Sequence, residues 1–322
     1  MDLTSNMSNK IQICRAIAII AVVIIHNCPL EYEGIFIRCF VNFAVPLFIF
    51  LSGFLTRIID YNILKKRLLR VFIPYCIWSV LYTTAYNKWD DFVFNFITGQ
   101  CCGIYYFIIV YMQLTILTPW ILKLIQSKYW KLGFLITPIS IAIEYIYTIN
   151  YGAIKFPFYA LFFTVWFIFF YLGMCIRNGN IRILLNHNIF YFILFIVVYI
   201  IQFIESIIWY IYGNYNMAIG QLKFSSIFYA IILLIIFYIW IIKEDNIYFN
   251  KISSFFIVIG NYSFGIYLTH MALMAVLGKT VYKFIDVIFP FNIVLIILIE
   301  VIGISFMVKF CGKKVCKYLG LI

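Results

Sequence analysis

The feature that most constrains this chain is a series of ten apolar segments, each long enough to cross a lipid bilayer as a helix. A spanning helix needs about 20 predominantly apolar residues, and it satisfies its own backbone polar groups, as lipid demands. The segments cover residues 11–29, 35–57, 71–87, 103–122, 132–149, 157–176, 188–211, 224–242, 255–278 and 287–308. The sequence therefore predicts an all-α, polytopic integral membrane helix bundle with about ten transmembrane helices.

Composition excludes a soluble fold for most of the chain. Hydrophobic residues make up 66% of the 322 positions and charged residues only 11%, whereas a soluble domain is about half apolar and about one quarter charged. Short polar connections separate the apolar segments, and none is long enough to hold a soluble domain of its own. Residues 1–322 are therefore expected to form a single transmembrane domain.

The basic residues have a distribution that predicts orientation. A net charge of +12 would suggest nucleic acid as a partner of a soluble protein, but these residues lie near the segment ends. Lys and Arg concentrate in the cytoplasmic loops of membrane proteins. With the N-terminus in the cytoplasm, 18 of the 24 Lys and Arg residues fall on the cytoplasmic side. Both termini are therefore expected in the cytoplasm, the lipid bilayer is the expected partner, and no nucleic acid is expected.

The nine cysteines give no sign of a metal centre or a redox motif. Most of them lie inside apolar segments, without a Cys-x-x-Cys pair or a Cys/His cluster at metal-ligand spacing. We interpret them as small apolar residues of the bundle. Neither a metal nor a tightly bound cofactor is expected.

The first apolar segment carries two polar residues, Arg15 and His26, that are costly in a membrane. Eleven helical steps bring both side chains to within about 20° of one direction and place them about 16 Å apart along the axis. Arg15 would then lie near the cytoplasmic surface and His26 deeper, towards the outer leaflet. The plain alternatives are a snorkelling anchor for Arg15 and a packed, hydrogen-bonded histidine at position 26.

A second histidine, His270, lies about fifteen residues into the ninth segment, as His26 does in the first. The two are expected at similar depth, although coincidence among three histidines is the plain alternative. The third histidine, His187, is expected at the interface. Glu144 and Glu300 lie inside apolar segments, where either could orient a histidine or could instead be paired structurally.

Basic residues follow the second segment in the sequence KKRLLR at 65–70. Arg67 and Arg70 are three residues apart and can lie on one face at the start of a helix. Arginine at a membrane surface suits bidentate recognition of phosphate. The alternative is a cluster that sets orientation and contacts anionic lipid.

Five sequence elements occur in an order that resembles a known family. They are Arg15 with ten residues before His26, VPLFIFLSGFL at 45–55, Arg67-x-x-Arg70 with VFIP at 71–74, YYF at 105–107 with Tyr111, and GIYLTH at 265–270. Together they resemble the membrane acyltransferase-3 family over essentially the whole chain. In the fourth element a Tyr stands where that family usually has Trp.

The resemblance implies a stand-alone O-acyltransferase of a bacterial cell (plasma) membrane, without an appended soluble domain. It implies transfer of an acyl group, most commonly acetyl, from cytoplasmic acyl-CoA as co-substrate to a hydroxyl of a cell-surface glycan or lipid-linked sugar. It assigns His26 to catalysis and Arg15, Arg67 and Arg70 to acyl-CoA binding. His270, Tyr267 and Glu144 are further candidates for acceptor binding or proton relay. The acceptor's identity and the oligomeric state are not predicted.

General chemistry is consistent with these roles. CoA phosphates are too polar for lipid, and the pantetheine arm is long enough to carry the thioester from a cytoplasmic arginine cluster to His26. A neutral imidazole can act as general base or accept the acyl group itself, and the sequence leaves both routes open.

A competing class is transport. Spanning helices with buried histidines and carboxylates also describe an exporter or flippase of polysaccharide or small molecules. That class predicts broken helices in two repeats, and here Pro46 and Pro119 are the main candidates for kinks, without a clear internal repeat. A purely structural partner of a polysaccharide synthase is a third possibility.

Overall fold

The computed structural model describes residues 4–29, 31–56, 60–152, 154–185, 188–243, 251–281 and 288–322. His187 lies outside the described residues. The described part consists of α-helices and one short 3-10 helix, Trp130–Leu135, and it contains no strand. The helices are α1 (Ser5–Asn27), α2 (Glu31–Val41), α3 (Ala44–Phe54), α4 (Tyr61–Tyr86), α5 (Phe92–Thr98), α6 (Tyr106–Gln126), α7 (Ile136–Tyr151), α8 (Phe158–Leu161), α9 (Phe163–Arg177), α10 (Asn188–Ile211), α11 (Tyr215–Ile219), α12 (Phe224–Ile242), α13 (Lys251–Asn261), α14 (Ser263–Lys279) and α15 (Phe291–Tyr318).

The long apolar helices confirm the prediction of an all-α, polytopic membrane bundle. Within the described ranges, nine stretches are long and apolar enough to cross a membrane, and α13 with α14 makes a tenth if the pair counts as one span. That pair is bent by 78°. Every predicted segment overlaps one of these stretches, but the ninth is a broken helix, where the sequence predicts a continuous one.

Local capping explains why two helices begin earlier than the apolar segments. The Thr4 side chain accepts a hydrogen bond from the Met7 backbone N–H, so α1 starts at Ser5. Asp60 caps α4 in the same way through the Asn62 N–H. The basic residues at 65–70 therefore lie within the first turns of a helix.

The chain divides into two compact units. The first unit consists of residues 1–47, 185–221 and 228–322, and the second consists of residues 48–184 and 222–227. The expectation of a single transmembrane domain over the whole chain stays a prediction.

In the first unit, α1 packs most extensively against α13, and a glycine makes this contact possible. A Cβ atom added to Gly260 would lie 2.0 Å from the Gln12 carbonyl oxygen. No side chain fits there, because the backbones of α13 and α1 touch. Small residues at helix crossings are the usual means of close packing in membranes.

The same helix α1 is joined to the end of α12 by a buried lysine. Lys10 is only 2% exposed, and its Nζ donates to the carbonyl oxygens of Trp240 (3.0 Å) and Lys243 (2.7 Å). The last carbonyls of a helix lack intrahelical partners and carry partial negative charge. Lys10 therefore satisfies the C-terminal end of α12 while fixing the N-terminal half of α1.

In the second unit, α3 crosses α9 at a pair of glycines. An added Cβ would lie 2.1 Å from the Phe170 carbonyl oxygen at Gly53, and 2.4 Å from the Phe50 carbonyl oxygen at Gly173. The glycine of the SGF sequence at 52–54 is therefore required by a backbone contact.

Candidate functional site

The C-terminal end of α1 places His26 against α14. The His26 and His270 ring centroids are 5.6 Å apart, with the ring planes inclined at 45°. One residue further along α1, Asn27 Nδ2 lies 3.2 Å from the Met274 sulfur. Residues 270 and 274 are one helical turn apart, so a single face of α14 meets the last turn of α1.

His270 is held in one orientation by its own helix. Its side chain is fully buried (0% exposed), and its Nδ1 lies 2.8 Å from the Ile266 carbonyl oxygen. Because a carbonyl can only accept, Nδ1 carries the proton, and in the neutral ring the lone pair is on Nε2. Among the described residues, Nε2 has no hydrogen-bond partner. The buried nitrogen is therefore a free acceptor next to His26.

His26 differs from its partner in exposure. Its side chain is exposed, although it lies in the last turn of α1 against a fully buried ring. His26 lies 21 residues after Ser5, the first residue of α1, because the helix begins well before the apolar segment. An accessible imidazole beside a buried one can meet a substrate directly while its neighbour remains shielded.

Arg38 of α2 is hydrogen-bonded to the backbone at the C-terminal end of α1. Arg38 Nη1 donates to the Ile25 carbonyl oxygen at 2.6 Å, and Nη2 approaches the Ile219 carbonyl oxygen at 3.5 Å. Ile25 directly precedes His26, so this hydrogen bond holds Arg38 at the turn of α1 that carries His26. Among the described residues, no carboxylate forms an ion pair with Arg38, and its buried Nε has no hydrogen-bond partner.

Gly34 brings α2 close enough for this contact. An added Cβ at position 34 would lie 1.9 Å from the Pro29 carbonyl oxygen. Gly34 and Arg38 are four residues apart and lie on the same face of α2. Because Gly34 lets its turn of α2 lie against Pro29, the Arg38 guanidinium on the next turn reaches the Ile25 carbonyl oxygen.

The carboxylate of Glu300 is hydrogen-bonded to Thr269, the residue directly before His270. The Thr269 hydroxyl donates to Glu300 Oε2 at 2.6 Å, joining α14 to α15. Glu300 is 6% exposed, and its Oε1 has no hydrogen-bond partner within the described part of the chain. Glu300 therefore contacts the neighbour of His270 rather than either histidine ring.

A family model described as an acyltransferase domain matches residues 8–309. The chain belongs to the acyltransferase-3 family. No curated protein and no solved structure matches it. With its long apolar helices, the protein is a membrane acyltransferase, and the match includes both histidines and all three arginines of the sequence-based hypothesis.

Several predicted site residues of this acyltransferase lie in its first unit. Arg15, His26, Tyr267 and His270 belong to it, and the structure brings the two histidines into direct contact. The buried Tyr267 ring lies 6.3 Å from the His270 ring, between centroids. Arg15 lies on the same unbroken helix as His26, with its Nη1 3.5 Å from Gln12 Oε1.

The other predicted residues lie in the second unit. Arg67 donates to the Thr56 hydroxyl at 2.6 Å and approaches the Leu55 carbonyl at 3.4 Å, so part of its fork holds the chain just after α3. Arg70 is exposed on α4. Glu144 on α7 is 7% exposed, and its Oε2 has no hydrogen-bond partner among the described residues. Roles for these three in the reaction stay predictions.

Arg38 is the site residue that sequence reasoning missed. The orientation count treats it as one of the six basic residues on the outer side. A signal was available, because Arg38 lies inside the second apolar segment. Charged residues inside such segments are usually functional or paired.

Proposed function

We propose that this membrane acyltransferase moves an acyl group, acetyl in the simplest case, from acyl-CoA to a hydroxyl of a cell-surface glycan or lipid-linked sugar. We propose the His26–His270 pair as its reaction centre. The observation that carries this is the contact between an exposed imidazole and a buried imidazole whose Nε2 is a free acceptor.

In the direct route, His26 takes the proton of the acceptor hydroxyl as its oxygen attacks the thioester carbonyl carbon. A C–O bond forms, the C–S bond breaks, and the CoA thiolate leaves and collects a proton. His270 Nε2 accepts a hydrogen bond from the other side of the His26 ring, directly or through one water molecule. General-base assistance of this kind contributes about 10²–10⁴-fold.

In the two-step route, a His26 nitrogen attacks the thioester carbonyl carbon, a C–N bond forms, the C–S bond breaks, and the CoA thiolate leaves and collects a proton. The acceptor hydroxyl then attacks the acyl carbon, so that a C–O bond forms, the C–N bond breaks, and His26 is released. The pair supports this route as well, because a second imidazole can take the proton that the first one releases. Tyr267 is assigned to acceptor binding, and the support for this is the 6.3 Å distance between the centroids of its ring and the His270 ring.

The acyl-CoA end is assigned to Arg15, Arg67 and Arg70. Their support is chemical: guanidinium groups bind phosphate through paired N–H donors, and all three fall on the cytoplasmic side of the predicted orientation. Glu144 is assigned to proton relay. The expected setting is a bacterial plasma membrane, where acyl-CoA and glycan acceptor lie on opposite sides.

Activity of the purified protein tests the proposal. In detergent, with radiolabelled acetyl-CoA and an undecaprenyl-linked or polysaccharide glycan, the wild type should transfer label. His26→Ala should lose at least about 10²-fold in kcat, the contribution of one general base. The third histidine provides a matched control, His187→Ala, which should retain activity. Full activity of His26→Ala would remove His26 from the mechanism.

Export of polysaccharide or a small molecule remains a second candidate, favoured by the 78° break between α13 and α14. Broken helices often form transporter binding sites. CoA binding separates the two functions. Addition of millimolar CoA should raise the Tm of the enzyme, because a ligand stabilises the state that binds it. An unchanged Tm together with no acyl transfer would favour transport.

A further inference from the structure

We propose that Arg38 is a catalytic residue that stabilises the oxyanion formed when the acceptor attacks the acyl carbonyl. This inference rests on the proposed function and adds a residue to it. Acyl transfer converts a neutral carbonyl into a tetrahedral species with negative charge on oxygen. Donors already fixed around that oxygen are usually the largest single contribution to such reactions.

The first support is the way in which the guanidinium is held. Arg38 is fixed by the neutral carbonyls of Ile25 and Ile219, from two different parts of the chain. Had a carboxylate held it, most of its charge would be compensated. Held by carbonyl dipoles, the guanidinium is oriented while its positive charge is not compensated by a carboxylate of the described residues.

The second support is its place beside the reacting group. Nη1 donates to the carbonyl oxygen of Ile25, the residue directly before His26, so the guanidinium is held at the turn of α1 that carries His26. A guanidinium has five N–H donors in a planar fork. Two of them are directed to carbonyls and Nε is buried, which leaves one N–H on each terminal nitrogen for an oxygen near His26.

The third support is electrostatic. A half-buried positive charge without a carboxylate partner among the described residues is unfavourable on its own. Such a charge becomes favourable when an anion forms next to it. The geometry therefore points to a site that binds the anionic transition state better than the neutral substrate, which is what raises kcat.

Capping of α1 is the competing role, because Arg38 also satisfies a carbonyl at the helix end. Two conservative variants separate the roles. Arg38→Gln keeps an N–H donor for Ile25 without charge, and Arg38→Lys keeps the charge without the fork. For an oxyanion role, Arg38→Gln should lower kcat by about 10²–10³-fold, with KM for acetyl-CoA and Tm close to wild type. Arg38→Lys should retain more activity than Arg38→Gln.

Chemical rescue keeps the test decisive. Arg38→Ala should regain acyl transfer when guanidinium chloride is added at low millimolar concentration, and urea, which has a similar shape but no charge, should not restore it. Arg182→Gln, a change at an exposed arginine of the second unit, should behave as wild type throughout.

Each outcome is informative. Full activity of Arg38→Gln would overturn the oxyanion role. Equal losses in Gln and Lys variants, a lowered Tm and no rescue by guanidinium would assign Arg38 to helix capping and also overturn it. Absence of acyl transfer by the wild type would instead overturn the proposed function, and this inference with it.

Discussion

At the scale of single residues, the hydrogen bond from His270 Nδ1 to the Ile266 carbonyl decides what His270 can do. It fixes the proton on one nitrogen and leaves the other as an acceptor. The bond lies within one turn of α14, so it depends on that helix being formed. The sequence identifies His270 as a polar residue in an apolar segment, but it cannot show which of its nitrogens carries the proton.

Replacing His270 with two different amides tests this assignment. His270→Asn can imitate Nδ1–H towards Ile266 but removes the Nε2 acceptor, and it should lower kcat by about 10²-fold. His270→Gln extends an amide oxygen towards the Nε2 position and should retain more activity if His270 only orients His26. Acyl transfer is measured at saturating acetyl-CoA.

Equal losses in both variants would mean that His270 must itself carry a proton, since an amide cannot. Wild-type activity in His270→Asn would contradict any role for Nε2. A matched thermal melt shows whether either variant has lost its fold.

The sequence predicts the site at this scale only in part. Periodicity and burial cost single out Arg15 and His26, and motif order adds His270. Arg38 contributes to the sequence-based prediction only as a basic residue on the outer side, because its contact with Ile25 joins residues from two helices. A contact of this kind depends on how α2 approaches α1, which in turn depends on Gly34 and Pro29. Pattern reasoning on single segments does not contain that information.

At the scale of helices, close backbone contacts at glycines determine which helices meet. Gly260 lets α13 lie against α1 at Gln12, and α1 in turn carries His26. Elsewhere in the first unit, Gly303 on α15 has nothing within 4 Å of an added Cβ. Both glycines are helical, but Gly260 lies against a neighbouring backbone and Gly303 faces open space. They therefore form a matched pair for substitution.

Alanine substitution at these two positions should have opposite effects. Gly260→Ala should lower the Tm in detergent and the yield of folded protein, because a Cβ would overlap the Gln12 carbonyl. Gly303→Ala should leave the Tm unchanged or raise it slightly, since alanine favours a helix by about 1 kcal/mol over glycine. Equal Tm values for the two variants would contradict the close contact at Gly260.

Helix breaks were harder to predict than helix positions. Pro119 lies inside α6, and Pro46 is the third residue of α3, a position near a helix start where proline fits. The sharp bend instead separates α13 and α14 at Tyr262, where no proline signals it and the nearby Gly260 serves the contact with α1. Tertiary packing sets this break, so an apolar segment of suitable length appears continuous in the sequence.

At the scale of the whole molecule, the alternation of basic residues predicts that the two termini lie on one side. The number of apolar stretches is consistent with this when the bent pair counts as one span. Orientation relative to the membrane is set by loop charge, which the sequence contains in full. It is therefore the large-scale property most directly open to prediction from sequence.

Reporter fusions measure this orientation. A fluorescent protein fused after Ile322 should fluoresce, and alkaline phosphatase at the same place should be inactive, because the C-terminus is expected in the cytoplasm. As a control, alkaline phosphatase fused after Gly152 should be active, since that loop is expected outside. Active phosphatase at both positions would contradict the five spans predicted between Gly152 and Ile322, and an active phosphatase at the C-terminus alone would invert the orientation.

The bond that orients His270 has a consequence for engineering. Because donor and acceptor belong to the same helical turn, the His270 ring is oriented by local secondary structure rather than by a distant partner. The side chains around His270 can then be varied in a library without losing this alignment. A search for altered acceptor preference should accordingly begin around His270 and leave Ile266 in its helical setting.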